Sequence, residues 1–192
     1  MTEPTTSSRF GWVVLGALTL YFLAVFGFQI TLMADPDYPS TGVRLLFKYL
    51  VIADPSAFGD NYLASYASAF DGPYLYDWIT LAWLAAGGDL GLLHRVLPMA
   101  CWLAFLLGAA QAARQLGNHI TVLGTLGLVI AQPLYLFQIT SAMPHAFGFP
   151  LLVWAFVALL RGSIGGLAVL TILAGLLYPA TAPLLGLLLA WQ

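Results

Sequence analysis

The residues whose types and spacing could do chemistry lie early in the sequence. Asp35 and Asp37 flank Pro36, Asp54 and Asp60 follow, and between them Arg44 and Lys48 stand four residues apart. The two cations belong to a stretch, Thr41 to Ile52, that carries Val43, Leu46, Phe47 and Leu50 at i, i+3, i+4 and i+7. That is the spacing of an amphipathic helix, with the cations on its other face. Like charges at i, i+4 repel by roughly 0.2–0.5 kcal/mol, and an anion held between them reverses the sign. Two anions fit: lipid phosphates beneath an interfacial helix, the ordinary role of such a face, or the phosphate of a substrate.

Each aspartate also has a structural role open to it. Asp54-Pro55 suits a helix N-cap followed by proline at the first helical position. Capping is the ordinary role for any single aspartate taken alone. Asp60 opens a stretch with Tyr62, Tyr66 and Phe70 at i, i+4 and i+8. Such a stripe serves more often as an aromatic belt at a membrane surface than as a platform for a sugar ring. His145 follows Pro144 at the start of an apolar run, where a helix N-terminus favours an anion; a single histidine there is more often interfacial than a ligand. No HExxH, paired CxxC, GxSxG or P-loop occurs, so a hydrolase or NTPase of soluble type has no support.

The elements that must position these groups are apolar. Hydrophobic residues make up 61% of the 192, and charged residues only 7%, against about 25% in a typical soluble domain. Mean hydropathy is +0.90. The net charge of −2 supplies no basic face for nucleic acid. The single cysteine, Cys101, excludes an intramolecular disulfide and leaves the redox compartment open. An all-α, polytopic transmembrane helix bundle is the expected fold class.

A span needs roughly 20 apolar residues. Phe10 to Met33 carries no charge and follows a Ser/Thr-rich head ending at Arg9. It is longer than a signal-peptide core and lacks a small-residue cleavage site, so it reads as a retained first span. Further candidate spans are Val96 to Ala113 (with Leu90 to Leu93 before it), His119 to Thr140, Ala146 to Leu160, Ile164 to Tyr178, and a sixth beginning at Pro183. The sequence stops inside that last run, which suggests a fragment of a longer chain. The expected organisation is one membrane domain: a head over 1–9, a first span over 10–33, a large loop over 34–89, and further spans over 90–192.

Arg9, Arg114 and Arg161 fall at the ends of spans one, two and four. Alternating spans put them on one side, which the positive-inside rule makes cytoplasmic. All acidic residues but Glu3 fall between Asp35 and Asp89, on the opposite face. Arg44, Lys48 and Arg95 depart from the rule and lie outside. Tyr74 to Ala86 is apolar except for Asp77; about 20 Å of helix is too short to span. It reads as an interfacial or re-entrant helix of the outer loop. Asp35, Asp37, Asp54, Asp60, Arg44, Lys48, His94, Arg95 and His145 therefore converge on the outer side, and His119 marks the cytoplasmic end of a span.

This order, with a Pro-led aromatic helix (GPYLYDWITLAWLAAGGD) and a span entered through LLHRVLPMACWLAFLLGAAQAARQLG, resembles the N-terminal part of the GT-C-type polytopic membrane glycosyltransferase superfamily. MPHAFGFPLLVWAFVALLRG followed by LLYPATAPLL is similar to uncharacterised bacterial membrane proteins of that group. The resemblance covers most of the chain and rests on spacing more than on an invariant string. It implies transfer of a sugar from a polyprenyl-phosphate-linked donor on the outer face of the plasma membrane, with membrane lipid and that donor as partners. In that family an acidic motif soon after the first span carries the catalytic base or a divalent metal ion. Asp35 and Asp37 match that position, although Pro36 separates acids that are often adjacent there. Asp54 and Asp60 stand where a second polar contact could come. The carboxylate would deprotonate or orient the acceptor hydroxyl, and Arg44, Lys48, Arg95 or His145 would stabilise the departing lipid phosphate. Tyr62 and Tyr66 would contact the sugar.

A transporter or a non-catalytic membrane assembly subunit is the alternative. Transporters place polar or ionisable groups near the bilayer midplane. Here charges are absent from mid-span positions, with Gln132, Gln138 and Pro133 the nearest candidates. A pure scaffold has no need of an acid-rich loop.

Overall fold

The computed structural model describes residues 43–59, 73–132, 134, 135 and 143–191, with scattered residues between 13 and 31 and at 62, 65 and 66. The side chains of 43–46 and 55 lie outside the described set. All regular structure among the described residues is helical, and no strand occurs among them. The fold is all-α. The described residues between 13 and 31 are helical, and Val25 packs against the core cluster around Trp102.

The helices in chain order are α1 (Val43–Ala53), α2 (Pro55–Phe58), α3 (Tyr74–Ala85), α4 (Leu90–Leu116), α5 (His119–Ala131), α6 (Gly148–Leu160), α7 (Ile164–Leu177) and α8 (Ala182–Trp191). Short 3-10 turns, Pro144–Phe147 and Pro179–Thr181, lead into α6 and α8. The amphipathic helix read over Thr41 to Ile52 is α1, and the short apolar helix read over Tyr74 to Ala86 is α3.

Their ends follow from local chemistry. Asp89 caps α4 by accepting the Leu92 N–H at 2.8 Å, and Asn118 caps α5 from Ile120 and Thr121. α6 closes with Gly162 at φ +63°, its N–H on Leu159 O and the Ser163 N–H on Ala158 O. That left-handed residue lets the chain reverse at once, and the Ser163 hydroxyl accepts the Gly166 N–H to start α7. Gly87, at φ +77°, does the same between α3 and α4.

Only α4, with 27 residues, is long and apolar enough among the described residues to cross a membrane by length and composition. The runs expected as separate spans become helices of 13 residues (α5), 13 (α6), 14 (α7) and 10 (α8). The third run, expected from His119 to Thr140, is interrupted at Gln132, which is extended at ψ 105°, and is helical again at Leu134 and Tyr135. A residue before proline is pushed out of the helical region, and Pro133 follows it. Of the first span expected over Phe10 to Met33, half of the residues are described, and all of these are helical.

α4 and α6 run parallel. Phe105 stacks near Phe149 with ring centroids 5.8 Å apart, and further along Gly108 meets Val153 and Trp154. The Trp154 indole N–H donates to Ala104 O at 3.0 Å across the same seam. A Cβ on Gly108 would come within 2.5 Å of a Val153 methyl, so glycine is what lets these helices close. Because they are parallel, Arg114 in the last turn of α4 and Arg161 after α6 mark one end of the bundle. The opposite end is where α4 begins at Leu90, and α1 and α3 pack there.

Candidate functional site

At the Leu90 end, α1 and α3 meet through charge. The Lys48 Nζ lies 2.8 Å from Asp77 Oδ2, and the Tyr49 hydroxyl donates to Asp77 Oδ1. The Lys48 and Asp77 side chains keep only 14% and 18% of their exposure. A charge in such surroundings persists only when paired and hydrogen-bonded. Asp77 also lies in the first turn of α3, where the helix dipole favours a carboxylate.

Apolar packing seats this pair. Tyr49 and Tyr76, each 2% exposed, cluster with Leu90 of α4 and are flanked by Leu84, Leu97 and Phe147. The Tyr49 and Tyr76 rings lie 6.2 Å apart, and the edge of Tyr76 meets Phe147 at 6.4 Å. Thr80, one turn after Tyr76, is buried and donates to Tyr76 O at 3.0 Å. Burial, and then the Asp77 carboxylate that accepts its proton, pushes the Tyr49 phenol far above its ordinary range. Burial and the Asp77 charge push Tyr76 up to about 12. Both phenols therefore stay neutral donors at any physiological pH.

His94 belongs to the same end. It lies on the α4 face shared with Leu90 and Leu97, and its Nδ1 is enclosed without a hydrogen-bond partner among the described residues.

The expected site residues are distributed as follows. Asp35, Asp37 and Asp60 lie outside the described residues. Arg44 belongs to α1, but its side chain lies outside the described set. Lys48 holds Asp77, so an anion binding there must displace a carboxylate. Asp54 is an exposed N-cap: its Oδ1 accepts from the Ser56 hydroxyl at 2.6 Å and the Ala57 N–H at 3.2 Å. Those bonds, the Ser56 one first, hold its carboxyl below the ordinary range. Arg95 is exposed on the second turn of α4, and His145 sits half-buried in the turn that leads into α6. Tyr62 and Tyr66 are exposed, at 78% and 58%.

Lys48 and Arg95 thus belong to the end where α4 begins, and His145 to the turn before α6, whose Ala146 packs beside Cys101, Trp102 and Phe105. Asp77 and Tyr49 are the additions that sequence reasoning missed as site residues. The signal was present in Asp77 itself, a lone charge within an apolar helix, which must find a partner when buried. Among the described residues no three His, Cys, Asp or Glu side chains gather as metal ligands. Asp35 and Asp37, the candidates for a metal, are not among them. No protein-family model matches the sequence, and no curated protein or solved structure matches it.

Proposed function

We propose that this chain is a multi-pass plasma-membrane protein, with its N-terminus in the cytoplasm, that transfers a sugar from a polyprenyl-phosphate-linked donor on the outer face. The observation that carries this reading is the segregation of charge along the bundle. α1 and α3, with Lys48 and Asp77, sit on the Leu90 end beside Arg95 and the turn holding His145, whereas Arg114 and Arg161 mark the other end. No acidic residue occurs after Asp89. A positive end with no acid among the described residues suits the cytoplasmic face, and a mixed-charge end suits the face where chemistry occurs.

In this reading Asp35 or Asp37 orients or deprotonates the acceptor hydroxyl. Arg44, Lys48, Arg95 and His145 supply counter-charge for the lipid phosphate that leaves. Lys48 reaches that phosphate by exchanging Asp77 for it, while Tyr49 keeps its hydrogen bond to the carboxylate. A polyprenyl tail in the bilayer explains why such a site sits on a set of apolar helices. Asp35 and Asp37 would be the ligands of a divalent ion if the donor's phosphate is bound through one.

The test is transfer of labelled sugar from polyprenyl-phosphate donors to an acceptor fraction by membranes carrying the full-length protein. Asp37→Asn should lower turnover by about 10²-fold, the usual loss on removing a general base, at unchanged expression. Arg44→Ala should weaken donor binding instead. Equal transfer by wild type, Asp35→Asn and Asp37→Asn would overturn the catalytic assignment.

A further inference from the structure

At the Arg114/Arg161 end, α6 and α7 diverge around a groove of about 420 Å³ lined by Trp154, Arg161, Ser163, Gly165, Gly166 and Val169, among others. The Trp154 ring is a fixed wall, because its N–H is bound to Ala104 O. Gly165 faces open space in the groove, where a Cβ would meet nothing within 4 Å. Beyond it, Val169, Ile172 and Leu176 stand exposed at 57%, 63% and 37%. Those positions follow Gly165 at i+4, i+7 and i+11, one continuous stripe on α7. Arg161 lies exposed at the mouth and makes no ion pair among the described residues. The chain offers it no acid anywhere after Asp89. The Ser163 hydroxyl accepts from Gly166 N–H, which leaves its own proton to donate.

We infer that this groove binds an anionic glycerophospholipid of the inner leaflet, its phosphate on Arg161 and Ser163 and an acyl chain along Trp154, Val169, Ile172 and Leu176. The inference rests on the membrane reading above but not on sugar transfer. Charge complementarity selects the headgroup: a cation with no ion pair among the described residues, at the mouth of an otherwise apolar groove, fits one phosphate with a hydrocarbon tail. A soluble anion would leave the apolar wall wet, and a zwitterionic lipid would bring its own cation up to Arg161. The groove lies a helix length, about 20 Å, from the Lys48–Asp77 pair at the far end of α6, so the two sites do not share residues.

The full-length protein in a zwitterionic detergent, titrated with phosphatidylglycerol, phosphatidylcholine or inorganic phosphate and read by thermal shift, tests this. Phosphatidylglycerol should act at about five-fold lower concentration than phosphatidylcholine, the gain one cation gives near an anionic lipid surface. Inorganic phosphate alone should have no effect. Arg161→Gln should erase the preference and Arg161→Lys keep it. Gly165→Leu, whose side chain enters open space, should block both lipids without lowering the lipid-free melting temperature. An undiminished preference in Arg161→Gln, equal action of both lipids, or a full effect of phosphate alone would overturn the inference. So would insensitivity to Gly165→Leu, the result expected if another segment of the chain covers the groove. Recovery of the wild type in the soluble fraction without detergent would overturn the membrane reading as well, whereas detergent-dependent extraction with no lipid preference would sink the groove alone.

Discussion

Lys48 and Asp77, 29 residues apart in sequence, meet at 2.8 Å and join α1 to α3 at the Leu90 end of the bundle. Neither helix is long. What holds them in register is this pair, the Tyr49 hydroxyl on the same carboxylate, and the Tyr49–Tyr76 contact beneath.

Removing one partner should be costly and removing both should not. Lys48→Met leaves a largely enclosed carboxylate unpaired, and the expected loss is on the order of 3 kcal/mol. Lys48→Met combined with Asp77→Leu and Tyr49→Phe should recover most of it, because an apolar cluster of similar volume leaves no buried charge or hydroxyl unpaired. Tyr49→Phe should cost about 1.5–3 kcal/mol, the range for a hydrogen bond to a charged group. Denaturation midpoints of the four proteins in detergent decide the matter. A combined variant no more stable than Lys48→Met would mean that these side chains are not coupled.

The buried phenols give a pH signature. The folded-state values of Tyr49 and Tyr76 are raised, so folding favours their protonated forms. Their contribution is complete below the unfolded tyrosine value of about 10. It falls as pH rises through that value toward about 12 for Tyr76 and higher for Tyr49, because the unfolded chain loses its protons first. Tyrosinate absorbance should show two phenols whose ionisation is delayed until unfolding. Loss of one delayed phenol in Tyr49→Phe identifies it; an early, single-phase titration of all tyrosines would contradict the burial.

The α4–α6 seam makes a packing prediction. Gly108→Ala puts a methyl within 2.5 Å of Val153 and close to the Trp154 indole. Overpacking of this kind costs about 1–3 kcal/mol. Trp154→Phe loses the bond to Ala104 O and should cost about 1 kcal/mol. Thermal melting should show both losses, with Gly108→Ala the larger. An unchanged melting temperature in Gly108→Ala would mean the parallel pair is looser than its geometry.

Periodicity made the helices legible: α1, α3 and the Asp54 cap follow from spacing and from Asp-Pro chemistry. Lengths were less legible. A count of apolar residues ran straight through Gln132, where the helix ends, because hydropathy carries no information about the backbone before a proline. Lys48 illustrates the limit for the site. Its spacing from Arg44 suggested two unpaired cations, whereas its partner comes from another helix, and no local pattern in α1 announces Asp77. The Arg161 groove was invisible for a similar reason: it exists only once α7 folds back on α6. Asp35, Asp37 and Asp60 remain where the sequence left them, as expectations outside the described residues.

The proposed sugar transfer at the Leu90 end and the proposed lipid binding at the Arg161 end both require the two ends to lie on opposite sides of one membrane. Cys101 is buried at 4% exposure, so a membrane-impermeant thiol reagent should read only introduced cysteines. Ser56 is exposed near α1, and Gln115 is exposed at the last turn of α4. Ser56→Cys should be labelled in intact cells and Gln115→Cys only after lysis. Labelling of both in intact cells, or of Gln115→Cys alone, would contradict the arrangement.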